Sequence, residues 1–336
     1  MEYSFANDIS KYVRMKGRIV YKDGAAYLGF TNSSITVKVN GGPISMHITS
    51  VDNGTENRPM LRLYIDGVKM RDIPVDDSDD TVLLASFDND VHELTLVKIT
   101  EAAMSHVAIH EIYADNGLLE ISSEDDRKKI EFIGDSITCG YGVLAPPVSE
   151  YTVRDEDGEL SYSNFVAKGL DLDARWVSIS GYGVYVDYQG NPELVLPKYY
   201  PYQNKYVDDT LPADYDEFKP DLIIVNLGTN DSGHLHKPEI EQGFYDAYEK
   251  FLYYLREVHP EANILCVLGT LAPGFYKYVD KVLTKVKAQG FERIYGLELP
   301  EHDVANDGIA DGHPSRFTHK KDADRIIKFI QDNNLL

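Results

Sequence analysis

Three short stretches of this chain, Gly134-Asp135-Ser136-Ile137-Thr138, Leu227-Gly228-Thr229-Asn230-Asp231 and Asp311-Gly312-His313-Pro314, hold the residue types from which acyl transfer is assembled. A serine hydroxyl is a weak nucleophile until a base takes its proton, and that base must be held in one tautomer by a third group. Ser136, His313 and Asp311 can fill these roles in that order, because the Asp-x-His spacing lets the carboxylate accept from imidazole Nδ1 while Nε2 faces the serine. A tetrahedral intermediate also needs donors aimed at its oxyanion, each worth about 2.7 to 4 kcal/mol of barrier. The backbone N–H groups of Ser136 and Gly181 and the side-chain amide of Asn230 are the candidates, and Gly181, lacking Cβ, lets backbone approach substrate closely. Asp135, Tyr182 and Tyr185 are the candidates for contact with substrate.

Stretches this far apart in sequence need a scaffold that converges. From about Gly17 to Ile121 the chain runs in short alternating segments, such as Ser34–Val39, Leu61–Ile65 and His92–Val97, with an Asp66-Gly67 hairpin signal. This predicts a β-sandwich or jelly roll. After the polar stretch Ser122–Lys129 the grammar changes to apolar strands alternating with helical periodicity. Strands are expected at Ile130–Ile133, Trp176–Ile179, Asp221–Asn226, Asn263–Leu268 and Ile294–Leu297, with helices carrying Ile240 to Leu255, Val279 to Val286, and a last one opening near Ser315. The predicted fold class is α/β: a sandwich domain at 1–121, a linker at 122–129, and a three-layer domain with a parallel sheet at 130–336. In open parallel sheets sites form beyond the carboxyl ends of strands, where Ser136, Ser180-Gly181 and Gly228–Asn230 all fall.

Composition narrows the partners. A net charge of -22 disfavours nucleic acid and anionic membrane, both polyanions whose binding needs clustered Lys and Arg. The longest apolar runs fall far short of the roughly 20 residues of a spanning helix. No secretory signal is visible at Met1–Asp8, and 2 cysteines cannot form a disulfide framework, so a cytoplasmic location is expected. His234-x-His236 lacks a third ligand and reads as a solvated loop, and the acidic run Asp303, Asn306, Asp307 and Asp311 reads as a polar loop. No residue pattern specifies an oligomeric state.

Gly-Asp-Ser at a strand end, Ser180-Gly181 after the next strand, Gly-Thr-Asn-Asp, and a late Asp-x-His-Pro resemble the four blocks of the SGNH (GDSL-type) hydrolase superfamily over about residues 130 to 336. With a sandwich placed before that domain, and with Ile133–Gly142 and Ser180–Gly183, the chain is similar to carbohydrate esterase family 2, which removes acetyl groups from plant cell-wall polysaccharides without a metal. The resemblance implies Ser136 as nucleophile, His313 as base, and Ser136, Gly181 and Asn230 as the oxyanion hole, with no cofactor. The superfamily places Asp three residues before His, where this chain has Ala310; Asp311 sits two before, as in some family-2 members, while others dispense with the carboxylate. Family-2 enzymes often have an aromatic residue where Gly312 stands, so a sugar platform must come from elsewhere; the tyrosine-rich segment 182–215 reads either as that platform or as ordinary surface tyrosines.

The function the resemblance implies is an O-acetyl esterase on hemicellulose-derived oligosaccharides, of mannan or xylan type with a lean to mannan, through an acetyl-enzyme on Ser136. The alternatives are a lipid or acyl-thioester hydrolase of the same superfamily, or a carbohydrate-binding protein whose hydrolase half is inert.

Overall fold

A computed structural model describes residues 1–52, 57–76, 80–122 and 125–336. The chain divides into two compact units, Met1–Asp126 with Gln203–Leu211, and Arg127–Tyr202 with Pro212–Leu336. Ser123 and Glu124 of the expected linker lie outside the described residues. One part of the expected division changes: Gln203–Leu211, assigned from sequence to the second domain, groups with the first. The reason is local fit. Gly29 leaves room for the Asn204 amide, whose Nδ2 would lie 1.9 Å from any Cβ there, and Gln203 Nε2 donates to the Ile19 carbonyl at 3.2 Å.

The first unit is built on two long antiparallel strands, Ser34–Asp52 and Asp80–Lys98, paired from Ser34 with Val97 to Ile48 with Asp80. Register breaks at Asn40/Gly42 and Ile44/Ser45 bend the pair. On its other edge Ser34–Asp52 pairs first with Val13–Lys16 and, past the bend, with Ser105–Ala114. One strand thereby serves both layers of a sandwich, and alternate residues Ile35, Val37, Ile44, Met46, Leu61, Leu63, Leu94 and Leu96 fill its core. The Asp66-Gly67 hairpin forms as its letters imply. Both residues have positive φ, 50° and 76°, and the flanking Ile65 and Val68 pair.

The second unit centres on a five-stranded parallel sheet ordered Asp173–Ser178, Lys129–Gly134, Leu222–Asn226, Asn263–Leu268, Ile294–Glu298. The three strands at Lys129–Gly134, Asp173–Ser178 and Leu222–Asn226 are buried along almost their whole length because helices cover both faces, and Leu222–Asn226 reads as a near-continuous apolar run. Tyr162–Gly169 and Arg316–Asp332 bring Val166, Ala167, Ile326 and Ile330 onto Ile130, Phe132, Trp176 and Ile224. On the other face, the helix Pro238–Val258 buries Phe244, Tyr248, Phe251, Leu252 and Leu255 along one stripe, and Tyr276–Ala288 buries Val279, Val282, Leu283 and Val286. Ser315 caps the last helix by accepting from the Phe317 N–H, as its position before an amphipathic run predicts. Gly134 is level with both Ser178 and Asn226 in the parallel register, so the loops that follow these three strands leave the sheet side by side.

Candidate active site

Ser136 opens a four-residue helix, Ser136–Cys139, directly after the strand Lys129–Gly134. Two neighbours make that turn possible. Gly134 faces the Thr138 hydroxyl so closely that a Cβ would stand 2.0 Å from Oγ1. Asp135 is the N-cap, its carboxylate accepting from the Ile137 N–H at 3.1 Å, an interaction whose loss typically costs about 1 kcal/mol. Asp135 is wholly buried. Burial pushes its carboxyl up to about 7, against the lowering bonds from Ile137 and Thr229 and with Asp231 adding to the rise.

His313 comes from the other end of the domain. Its Nε2 lies 2.9 Å from Ser136 Oγ, and its Nδ1 lies 3.2 Å from the carbonyl of Ala310. A carbonyl only accepts, so the ring proton sits on Nδ1 and the bare Nε2 accepts from the serine hydroxyl. This is the base-ready tautomer. Burial drives the His313 pKa down to about 4, the Ala310 bond and the Asp311 charge pulling the other way and His302 adding to the fall. The imidazole is therefore neutral at pH 7.

Asp311 does not take the place the sequence reading gave it. The turn Ala310–Gly312 puts Asp311 in the left-handed region, at φ 50° and ψ 30°, which swings its side chain outward to solvent. Its carboxylate accepts from the Tyr141 hydroxyl at 2.9 Å, and the Ala310 carbonyl bonds His313 Nδ1 in its stead. The same carbonyl also accepts from the His313 backbone N–H at 2.9 Å, so one tight turn fixes both the chain and the ring.

The remaining candidates fall on the two neighbouring strand ends. Gly181 stands three residues past Ser178 with φ 81°, in the left-handed region that favours glycine. Asn230 donates from Nδ2 to the Tyr182 carbonyl at 2.9 Å and to Asp135 at 3.4 Å, which ties the third loop to the first two. Asp231 beside it is fully buried and accepts three backbone N–H groups: Val184 on Oδ2 at 2.9 Å, and Tyr185 and Val186 on Oδ1 at 2.8 and 3.0 Å. Burial raises its pKa and these three donors oppose the rise. The Asn-Asp pair thus divides its labour, the amide tying its loop to the first two and the carboxylate holding the loop that carries Gly181.

The expected substrate contacts need correction. Asp135 is a buried cap. Tyr182 is buried and packs edge-on against Tyr199 at 4.9 Å. Tyr185 lies across Gly243, where a Cβ would stand 2.2 Å from its ring. Tyr200, also in the tyrosine-rich segment, is wholly buried with its hydroxyl on Glu131. Tyr182 and Tyr200 are packed among other aromatic rings and Tyr185 against Gly243, surroundings that sequence alone does not reveal. Tyr188 is the exposed one at 63%, its ring beside Gly181.

Three residues near the base were not singled out from sequence. Tyr141 lies over the His313 ring with centroids 4.4 Å apart, and Tyr151 stacks behind it at 3.8 Å and 12°. His302 Nε2 donates to the Gly312 carbonyl at 3.0 Å and steadies the turn. The one local signal was Tyr141 between Gly140 and Gly142, both at positive φ. In the acidic run, Asp303 caps the helix Val304–Asp307, and Asp307 accepts from the Ser315 and Thr318 hydroxyls. His234 and His236 bond the carbonyls of Tyr188 and Gly233.

A hydroxyl bonded to a neutral imidazole at the carboxyl end of a parallel sheet, behind a β-sandwich in the chain, is the build of a serine ester hydrolase. Comparison with known families agrees: residues 132–318 match the GDSL-like Lipase/Acylhydrolase family and residues 15–121 match the Carbohydrate esterase 2 N-terminal family. The chain belongs to the GDSL-like lipase/acylhydrolase family, with a carbohydrate esterase 2 N-terminal domain ahead of the acylhydrolase domain. It is similar to the cellulase/esterase CelE of Acetivibrio thermocellus, 29% identical over 94% of this chain and 39% of that protein. It thus spans about two fifths of that relative's length. It is also similar to an acetylxylan esterase / glucomannan deacetylase of Cellvibrio japonicus, 25% identical over 71% of this chain and 69% of the relative. Among solved structures, a family two carbohydrate esterase from Clostridium thermocellum in complex with cellohexaose superposes with a TM-score of 0.85 at 27% identity, covering 96% of this chain and 100% of that one.

Proposed function

We propose that the chain is a carbohydrate O-acetyl esterase that deacetylates hemicellulose-derived oligosaccharides through an acetyl-enzyme on Ser136. The observation that carries this reading is the 2.9 Å bond between Ser136 Oγ and a His313 whose Ala310 contact leaves Nε2 as the acceptor. Ser136 Oγ adds to the acetyl carbonyl carbon as its proton passes to His313 Nε2. The carbonyl π electrons move to oxygen, which the N–H groups of Ser136 and Gly181 and the Asn230 amide receive. Collapse expels the sugar alkoxide, which takes the proton from His313. Water then repeats the sequence on the acetyl-enzyme, giving up a proton to His313 and releasing acetate and free Ser136.

The substrate class is supported by the relatives, whose names specify esterase, acetylxylan esterase and glucomannan deacetylase, and by the cellohexaose in the related complex. Between mannan and xylan fragments the proposal leans to glucomannan-type sugars. Action in the cytoplasm on imported oligosaccharides is part of the same proposal, and cell fractionation followed by esterase assay tests it. The deciding experiment measures acetate released from acetylated glucomannan and xylan oligosaccharides by the wild type and by Ser136→Ala. Release from either, abolished in a folded Ser136→Ala protein, supports the proposal; release from neither sinks the substrate class, and faster turnover of long-chain than acetyl 4-nitrophenyl esters would favour a lipid hydrolase.

A further inference from the structure

The base that carries the proton in this reaction becomes a cation during each half of the cycle, and among the described residues no carboxylate is hydrogen-bonded to its ring. Nδ1 of His313 is bonded to a neutral carbonyl, that of Ala310, at 3.2 Å. The face of the ring is another matter. Tyr141 covers it with centroids 4.4 Å apart and planes at 35°, well inside the distance at which an aromatic face attracts a cation. The Tyr141 hydroxyl donates to Asp311 Oδ2 at 2.9 Å. A phenol that donates to a carboxylate gains electron density on oxygen and ring, which makes its face more negative. Tyr151, stacked behind at 3.8 Å with its own hydroxyl bonded to Glu156, prevents the Tyr141 ring from turning away.

We infer that Asp311 acts on the catalytic base through Tyr141, the tyrosine ring stabilising the His313 imidazolium in place of a carboxylate on Nδ1. The inference rests on the assignment of Ser136 and His313 as nucleophile and base. Tyr141 is a positioning and electrostatic residue of the reaction, and Asp311 is its partner one step removed. The other groups bearing on the His313 ring are Ser136, His302, whose Nε2 is held on the Gly312 carbonyl, and His319 in the last helix. None of these is an anion. The Ala310 carbonyl and the charge and backbone of Asp311 favour the charged ring, and the Tyr141 face lies against that same ring.

The test is a double-mutant cycle read with acetyl 4-nitrophenyl ester, pH dependence included. Tyr141→Leu, which removes the face, is expected to lower kcat/KM about tenfold, as a cation–π contact of ordinary strength implies. It should also move the acid limb of the profile to lower pH, since the ring that favours the imidazolium is gone. A residue that merely packs would lower the rate without that displacement. Tyr141→Phe keeps the face and loses the bond to Asp311, with an expected loss of about threefold, and Tyr141→Trp should restore part of what Tyr141→Leu loses. Asp311→Asn should cost about threefold in the wild type and little in the Tyr141→Phe background. Equal costs of Asp311→Asn in both backgrounds overturn the relay, as does an acid limb that stays in place in Tyr141→Leu. Circular dichroism confirms folding of each variant, and Phe and Trp keep the test open if Leu fails to fold. Ser136→Ala, assayed alongside, fails separately: turnover surviving that change would refute the nucleophile and not the relay.

Discussion

Replacing Asp231 by Asn probes the link between packing and the proposed oxyanion hole. The carboxylate spends one oxygen on the Val184 N–H and the other on Tyr185 and Val186, all within 3.0 Å. An amide keeps one acceptor oxygen and can retain the latter pair, but its NH2 then faces the Val184 N–H at about the same separation, donor against donor. A buried donor without a partner costs about 1–3 kcal/mol, and bonds to a charged acceptor stand at the upper end, so the expected destabilisation is about 2–4 kcal/mol. The loop is packed tightly here, a Cβ on Gly183 standing 1.9 Å from the Val186 carbonyl and 2.5 Å from Asp231 Oδ2. In a domain of about 200 residues each kcal/mol moves Tm by about 2–4 °C, so the drop is about 5–15 °C. The same loop carries Gly181, and a misplaced oxyanion donor costs up to 10²–10³ in turnover, so a partial displacement should lower kcat about tenfold or more with KM little changed. Thermal unfolding followed by circular dichroism and steady-state kinetics read both effects. An Asp231→Asn protein with unchanged Tm and unchanged kcat would show that this nest of N–H groups does not hold the loop.

Asp311→Ala is expected to lower kcat/KM far less than His313→Ala, because the Ala310 carbonyl already fixes the tautomer; equal losses in the two variants would contradict the geometry. With the His313 pKa lowered to about 4, kcat/KM should stay level from pH 8 down to about 5 and fall through the region of 4, whereas a limb near the ordinary histidine value of about 6.5 would refute the burial of the base. The sign for stability follows from the same depression: between about 6.5 and 4 the unfolded chain binds a proton at His313 that the folded chain refuses. His313 therefore destabilises the fold as pH falls through that window, and urea unfolding of wild type against His313→Asn should show the gap narrowing toward pH 7. Gly142 stands at φ 61° with Ala310 Cβ only 2.4 Å from where its own Cβ would be, so Gly142→Ala should push the Ala310 carbonyl off Nδ1 and cost about tenfold or more in kcat. Wild-type turnover by that variant would show that the turn tolerates displacement.

Much of this architecture was written in local pattern. Alternation in segments such as Ser34–Val39 can bury one face only as sheet, and apolar runs such as Leu222–Asn226 need covering on both faces, so the order of elements implied a sandwich followed by a parallel sheet. The Ser136 and His313 pair was legible because each lies just past an element end with a residue type suited to acyl transfer, and Gly181 and Asn230 stand after the neighbouring strand ends where the same pattern put them. What lay beyond sequence were facts that depend on which way a side chain turns. Asp311 has the right spacing for a triad, yet a positive φ at its own Cα sends it to Tyr141, and a backbone carbonyl, invisible in any list of side chains, bonds the imidazole. Tyr182 and Tyr185 are buried or laid flat because Tyr199 and Gly243 receive them, contacts made across 17 and 58 residues of chain. Gln203–Leu211 joins the first unit through Gly29 and Ile19, some 180 residues earlier, and no periodicity encodes that. Sequence period and residue chemistry determined the elements and the reacting groups; long-range packing alone decided which partner each of those groups would meet.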